Sequence, residues 1–297
     1  MKLSVIIVPY KCKDELDVAL EAVYKQITSY DYEVIIIDND SQDGTVEMVK
    51  EKYLSQSELS VKTVLIENSN EGFGKANNRG MAMAKGDYIL LLNPDTKLAP
   101  DNFQVMVDFM QSRKDVGMAT CKLLKANGDL DWACRRSEPD PKIAFYRLSG
   151  LQFLFPKKFG TYNVMNKDIN QETEVDCIVG AYMMISRDCY QTVRGFDTEF
   201  FMYGEDIDLC YRVRQGGFKI WYYPKTMSFH YKGKSSKKSS QKSLYAFHEA
   251  MILYYKKHYQ KKYNSKFMDG FVYLGVWGRY CLKSLVNFFR TDKFVSR

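Results

Sequence analysis

The chain has 297 residues, 45% of them hydrophobic, with 43 Lys and Arg against 36 Asp and Glu. This length and apolar share allow one large domain, or a domain with an appendage, and exclude wholesale disorder. Seven cysteines, an odd number with no C-x-x-C pair, argue against a disulfide framework or zinc ribbon and fit a reducing cytoplasm.

The chain begins on an apolar β-branched run, Leu3–Val8, which reads as a buried strand. No basic leader with an apolar segment and cleavage site stands before it, so no secretory signal is expected. Helical spacing follows over Lys13–Ile27, then a strand at Glu33–Ile37 and a helix over Asp43–Leu54. A strand at Val61–Ile66, a helix over Gly74–Ala84 and a strand at Asp87–Leu92 complete the first half. Asp43 fits an N-cap and Gly86 a helix C-cap. Such alternation with short links implies an α/β fold with a Rossmann-like, mostly parallel sheet covered by helices. Ligands of such sheets bind beyond the carboxyl ends of the strands. Pro9-Tyr10, Asp38-Asn39-Asp40, Glu67–Gly72 and Asn93-Pro94-Asp95 all fall at those ends.

Residues 122–174 lack clear periodicity and read as loops and short elements of an acceptor cleft. Strand character resumes at Val175–Ser186, followed by a short helix at Glu205–Gln215 and a strand at Phe218–Tyr223. The stretch 232–243, KGKSSKKSSQKS, is basic, of low complexity and expected to be a mobile loop. Helices are expected over Leu244–Tyr263 and Phe267–Phe289. From Tyr231 to Arg297 there are fifteen basic and three acidic residues, an excess of twelve, while the rest of the chain carries a deficit of five. That asymmetry points to an anionic partner for the tail. Asp269, Arg279 and Lys283 interrupt the last helix, so a membrane span is not expected. An interfacial helix, or packing on the body or on a second subunit, fits better.

Three groups of residues carry candidate chemistry. Asp95 follows the buried run YILLL in a tight Pro turn, which suits a ligand to Mg²⁺ or Mn²⁺ on a nucleotide diphosphate. Glu205 and Asp206 are adjacent acids behind bulky apolar residues, where mutual repulsion and desolvation raise proton affinity. Asp208 reads as a first-turn acid complementing the helix dipole. His230, beyond the strand KIWYYP, could complete a metal site with Asp95.

The ordered motifs VIIVPYKCKDEL, VIIIDNDSQDGT, NEGFGKANNRG, YILLLNPDT, GAYMMISR and GFDTEFFMYGEDIDLCYRVRQGGFKIWYYP, with the SFH histidine, resemble family-2 glycosyltransferases of the GT-A fold. Within them the chain is similar to bacterial rhamnosyltransferase-type enzymes of cell-surface polysaccharide synthesis, over about residues 2–260. The resemblance implies a GT-A catalytic domain over 1–231, with a nucleotide half to about 121 and an acceptor half beyond it, then a C-terminal helical extension over 244–297. It implies a nucleotide-sugar cradle of Pro9, Tyr10, Asp38, Asn39, Asp40, Gly72, Phe73 and Asn77, with Asp40 contacting the base. Asp95 would hold Mn²⁺ or Mg²⁺ beside His230, and Asn93, where D-x-D proteins have an acid, would be a weak or indirect ligand. Asp206 would be the inverting base and Glu205 its tuning or acceptor-orienting neighbour. The implied donor is dTDP-β-L-rhamnose, with a UDP-hexose or UDP-galactofuranose as the alternative. The implied acceptor is a saccharide or lipid-linked saccharide. The implied location is cytoplasmic, peripheral on the inner face of the cell membrane, with an anionic membrane surface as partner and a homo-oligomer through the C-terminal helices as a further option.

A dinucleotide-binding reading of Gly72-Phe73-Gly74 fails because Asn77 occupies the third glycine position and the motif follows the third strand. A nucleic-acid-binding reading rests on YYKKHYQKKY in the tail, yet leaves the acidic motifs of the body without a role, so no nucleic-acid partner is expected.

Overall fold

A computed structural model describes residues 1–55, 61–148, 154–155, 160–231 and 240–289. The β-branched run Leu3–Ile7 forms β1, and all five of its residues are buried. It is flanked by β2 (Tyr32–Asn39) and β4 (Tyr88–Leu92), both parallel to it, and β3 (Lys62–Asn68) adds to β2 in parallel. Helices α1 (Lys13–Tyr24), α2 (Thr45–Val49, extended by a wider turn to Leu54) and α3 (Phe73–Met83) link them. These strands sit close to the expected ranges because one buried face after another demands uninterrupted apolar runs.

The second half completes a nine-stranded sheet in the order β3-β2-β1-β4-β8-β6-β9-β5, with β7 on β9. Its parts are β5 (Thr96–Leu98), α4 (Asn102–Ser112), β6 (Val116–Leu124), α5 (Pro141–Leu148), β7 (Thr173–Glu174), β8 (Tyr182–Ser186), α6 (Arg187–Val193), α7 (Glu205–Gln215) and β9 (Lys219–His230). Strand β8 runs antiparallel to both β4 and β6, and β9 is parallel to β6. Hence β6 and β9 point the same way as β1–β4, and six carboxyl ends share one edge.

Several expectations need correction. Val175–Ser186 is strand only from Tyr182, because residues 175–178 run as an irregular segment bridged to Arg136. The strand at Phe218–Tyr223 continues through Pro224 to His230, since β5 pairs with its far end in the register Thr96↔His230. His230 therefore ends a strand instead of following one. Gly86 caps no helix. It passes so close to β1 that an added Cβ would lie 2.6 Å from the Ser4 backbone nitrogen. Ser4 Oγ accepts from the Gly86 N–H at 2.8 Å and donates to Glu33 at 2.7 Å, a buried polar knot at the edge opposite the ligand side. Asp43 does act near a helix start, its carboxylate accepting from the Thr45 N–H (3.2 Å) and from the first N–H of α1 at Lys13 (3.2 Å), with Gly44 at the cap position. The basic stretch 232–243 lies outside the described residues up to 239, and Ser240–Ser243 are already helical.

The C-terminal helices are α8 (Ser240–Tyr255, extended by a wider turn to Tyr263) and α9 (Lys266–Phe288). Ala250, Tyr254, Tyr255 and Tyr259 of this extension bury Phe200, forming a second apolar cluster with Tyr203, Ile207 and Tyr211. Burial of a side chain like Phe200 stabilises by roughly 1.5–3 kcal/mol. All seven cysteines are free thiols. Six are buried and Cys281 is exposed.

Gly86→Ala should destabilise the protein by about 1–3 kcal/mol, because the methyl meets fixed backbone and not a yielding side chain. A denaturant titration that leaves the midpoint unchanged would refute this account of Gly86.

Candidate active site

The carboxyl ends of β1 to β3 form an interlocked polar floor. The Asn39 N–H donates to the Pro9 carbonyl at 3.0 Å, and the Lys11 N–H donates to Ser41 Oγ at 3.2 Å. Asp38 is buried. One of its oxygens accepts from the Ser41 N–H at 3.1 Å, and Oδ1 is buried without a partner. Asn39 exchanges amide hydrogen bonds with Asn68 and Asn70, which ties β2 to the loop after β3. Asp40 is exposed, in the left-handed region (φ 68°), and accepts from Gln42 at 2.6 Å. Tyr10 projects outward with the Lys11 ammonium over its ring. Asn77, by contrast, is buried and donates to the Phe73 carbonyl one turn earlier in α3, so its amide serves the helix itself.

The strand register explains the next pair. Because Thr96 lies opposite His230, Asp95 meets the histidine across β5 and β9, with His230 Nε2 at 3.5 Å from Asp95 Oδ1. Nδ1 of the same ring is 3.1 Å from Asp131 Oδ2. Asp131 arrives by a hairpin: β6 turns at Asn127-Gly128, and Asp131 donates its N–H back to Leu123 at 2.8 Å. An imidazole that gives its Nδ1 proton to a carboxylate presents a neutral Nε2 lone pair, the orientation seen where His ligates metals. Among the described residues no cluster of three or more His, Cys, Asp or Glu could hold an ion by itself. Asp95 and His230 nonetheless suit an ion shared with a diphosphate, which needs only one or two protein donors beside phosphate oxygens and waters.

The adjacent acids of α7 diverge. Tyr203 and Gly204 both take left-handed backbone (φ 69° and 81°), and this sharp turn starts the helix at Glu205. Asp206 forms a buried ion pair with Arg136 at 2.7 Å. Arg136 also donates to the Ile178 carbonyl at 2.7 Å, and its own backbone is bonded on both sides to Cys177. Burial, then the neighbouring Asp206 charge, pushes the Glu205 carboxyl up to about 8, against the opposing pull of a backbone bond and Arg136. Glu205 Oε2 is buried without a partner. The third acid, Asp208, is held by His258 of the C-terminal extension (2.8 Å) and by Arg212 (2.8 Å).

Gly180 joins these groups. A Cβ there would lie 3.4 Å from the Phe73 ring and 3.9 Å from the Asp206 Cβ, and the next residue, Ala181, accepts the Asn93 N–H at 3.0 Å. Gly72 sits directly against Phe201, whose carbonyl would be 2.9 Å from an added Cβ. The loop after β3, the Asn93–Asp95 turn and the start of α7 therefore meet at one place. Sequence reasoning missed Arg136 and Asp131. The signal for Asp131 was a strand ending in Asn-Gly and a return residue, while nothing local marks Arg136 beyond its arginine neighbour.

Residues 4–194 match the glycosyl transferase family 2 domain. The chain belongs to glycosyl transferase family 2. A second match, to a domain described as the N-terminal domain of galactosyltransferase, covers residues 161–234 and includes Glu205, Asp206 and His230. Rhamnosyltransferase WbbL of Escherichia coli is 30% identical over 54% of this chain and 61% of its own length. N-acetylglucosaminyl-diphospho-decaprenol L-rhamnosyltransferase of Mycobacterium tuberculosis is 23% identical over 74% of this chain and 73% of its own. Among solved structures, S. aureus TarS 1-349 in complex with UDP superposes with a TM-score of 0.57 at 18% identity, covering 85% of this chain and 64% of that one. Mannosyltransferase PcManGT from Pyrobaculum calidifontis, in complex with GDP-Man and Mn²⁺, gives 0.58 at 16%, covering 86% and 63%. These likenesses establish the GT-A fold, with its mixed, mostly parallel sheet and flanking helices, and relatives of this glycosyltransferase include rhamnosyltransferases.

Glu205 gives a pH prediction. Its folded value lies above the ordinary 4.5, so its contribution to stability is complete below about pH 4.5 and is lost as pH rises through about 8. Glu205→Gln should therefore gain stability relative to wild type between pH 5 and pH 9. Parallel melting curves at the two ends of that range would contradict the assignment.

Proposed function

We propose that this glycosyltransferase is an inverting, metal-dependent enzyme that moves L-rhamnose from dTDP-β-L-rhamnose to a saccharide or lipid-linked saccharide acceptor in cell-surface polysaccharide synthesis. The observation that carries the reaction type is the meeting of the Asp95–His230 pair and the Arg136-paired Asp206 around Gly180-Ala181. The two rhamnosyltransferase relatives support the donor, and the diphospho-decaprenol in the mycobacterial relative's name supports a lipid-linked acceptor. A UDP-hexose is the second reading for the donor, favoured by the TarS complex with UDP-GlcNAc.

In this reading the nucleotide lies on the floor formed by Pro9, Tyr10, Asp38, Asn39 and Asp40, with Gly72 and Phe73 alongside. Asp38 Oδ1, buried without a partner, is suited to accept from a ligand hydroxyl or base N–H. Asp95 and His230 hold Mn²⁺ or Mg²⁺, with Asp131 orienting the ring and Asn93 at most an indirect contributor. The ion, when bound, neutralises charge developing on the departing diphosphate. Asp206 accepts the acceptor hydroxyl proton while that oxygen bonds to the anomeric carbon from the face opposite the leaving nucleoside diphosphate. The C1–O bond to phosphate breaks in the same displacement, so configuration inverts. Arg136 holds the Asp206 carboxyl in place, while burial, then the neighbouring Asp206 charge, favours the protonated form of Glu205, able to donate a hydrogen bond to the acceptor. An enzyme acting on a lipid-linked acceptor would work on the cytoplasmic face of a membrane, as a peripheral protein.

Asp95→Ala should abolish metal-dependent binding of dTDP or UDP in calorimetry with Mn²⁺, and unchanged affinity would sink the metal assignment. Asp206→Asn should leave that binding nearly intact and lower turnover by about 10²–10⁴-fold, the usual share of a general base. A donor panel scored by thermal shift and nucleotide release, with and without Mn²⁺, tests the sugar. Selective response to a UDP-hexose would replace rhamnose.

A further inference from the structure

Helix α9 has two sharply different sides. One packs on α8. The Asp269 carboxylate accepts from the Tyr255 hydroxyl at 2.7 Å, Arg279 meets His248 at 2.9 Å, Gln241 donates to Ser284 at 2.5 Å, and Val276 and Asn287 are buried. Tyr273, Trp277 and Tyr280 also turn toward α8, against Tyr255 and Tyr245. These three rings are taken up by contacts within the extension.

The other side is largely exposed. Phe267, Leu274, Leu282, Leu285 and Phe289 fall on one face at helical spacing, and their exposures run from 58% to 83%. Among the described residues, a Cβ added at Gly270, Gly275 or Gly278 would meet nothing within 4 Å. From Phe267 to Phe289 no exposed residue is charged. The helix's own charges after Lys266 are all at least partly buried. Lone exposed apolar residues are ordinary, but a continuous apolar face over six turns marks an interaction surface. No helix among the described residues is long and apolar enough to cross a membrane.

We infer that this face of α9 lies in the interfacial layer of an anionic bilayer, with its apolar stripe among the lipid chains and its charged side on α8. Two observations choose lipid over a second copy of the chain. Lys261, Lys262 and Lys266 stand exposed at the turn that starts the helix, and the segment from Tyr231 onward carries an excess of twelve positive charges. A second copy would bring a like-charged segment and the same three exposed lysines, which repel, whereas anionic headgroups complement them. The extension is also rigidly joined to the catalytic domain. Besides the burial of Phe200, Asp208 is bonded to His258 and Asp197 to Lys257. Docking through α9 therefore presents the whole sheet edge in one orientation to the bilayer. The inference deepens the reading of a lipid-linked acceptor, but vesicle binding is measured without sugar transfer, so each can fail alone.

The test is co-sedimentation of the full chain with phosphatidylglycerol–phosphatidylcholine vesicles. Wild type should pellet with anionic vesicles at low salt and be released as salt rises, with much weaker binding to phosphatidylcholine alone. Leu274→Glu together with Leu282→Glu, both outward and remote from the active site, should weaken binding at least about ten-fold, because charges are placed where lipid must be. Their melting temperature and dTDP binding should stay at wild-type values, which shows that the variant is folded. Equal pelleting of wild type and variant, or wild type left in the supernatant, overturns the proposal. A wild-type dimer that the same substitutions dissociate, without vesicle binding, overturns it in favour of a second copy.

Discussion

Everything at this site depends on six strands pointing one way. Parallel pairing of β1 with β2 and β4, and of β6 with β9, carries Pro9, Asn39, Asp95, Asp131 and His230 to one edge of one sheet. A register slip of a single residue in β2 or β9 would turn Asn39 or His230 to the opposite face. The register is held by apolar burial on both faces, and at the far edge by the Ser4–Glu33–Gly86 knot. The functional geometry is thus inherited from packing and needs few dedicated contacts of its own.

The pair of acids at the start of α7 shows how two like residues can meet different surroundings. Two adjacent carboxylates in a desolvated site cannot both ionise cheaply. Arg136 is next to only one of them. The ion pair anchors Asp206 on Arg136, while burial, then the Asp206 charge, raises the proton affinity of Glu205. Removing either partner of a buried pair costs more than the pair contributes, because the survivor is left desolvated and unpaired.

The first half was legible in the sequence because fully buried parallel strands cannot be interrupted: LSVII, VIII and YILLL announce themselves and place Asp38, Asn39 and Asp95 at their ends. The second half was not. Residues 96–124 hold β5, α4 and β6, yet the three-residue β5 is too short to show a period. Val175, Cys177, Ile178 and Val179 are apolar without being strand, and β9 continues through a proline, both against local propensity and both settled by tertiary pairing. Long-range partners were the least visible of all. Nothing local joins Arg136 to Asp206 seventy residues away, or Asp131 to His230 ninety-nine away. The helical extension was legible as helices, but its packing against Phe200 and Asp208 was not.

The cysteines have a practical corollary. Burial pushes the thiols of Cys12, Cys134 and Cys189 up to about 12, and those of Cys121 and Cys177 up as well, so these sulfurs are both shielded and poorly ionised. Cys281 is the one exposed thiol of the seven, and it borders the apolar stripe of α9. A maleimide fluorophore would thus label the unaltered protein at a single position, placing an environment-sensitive reporter beside the surface whose surroundings are in question.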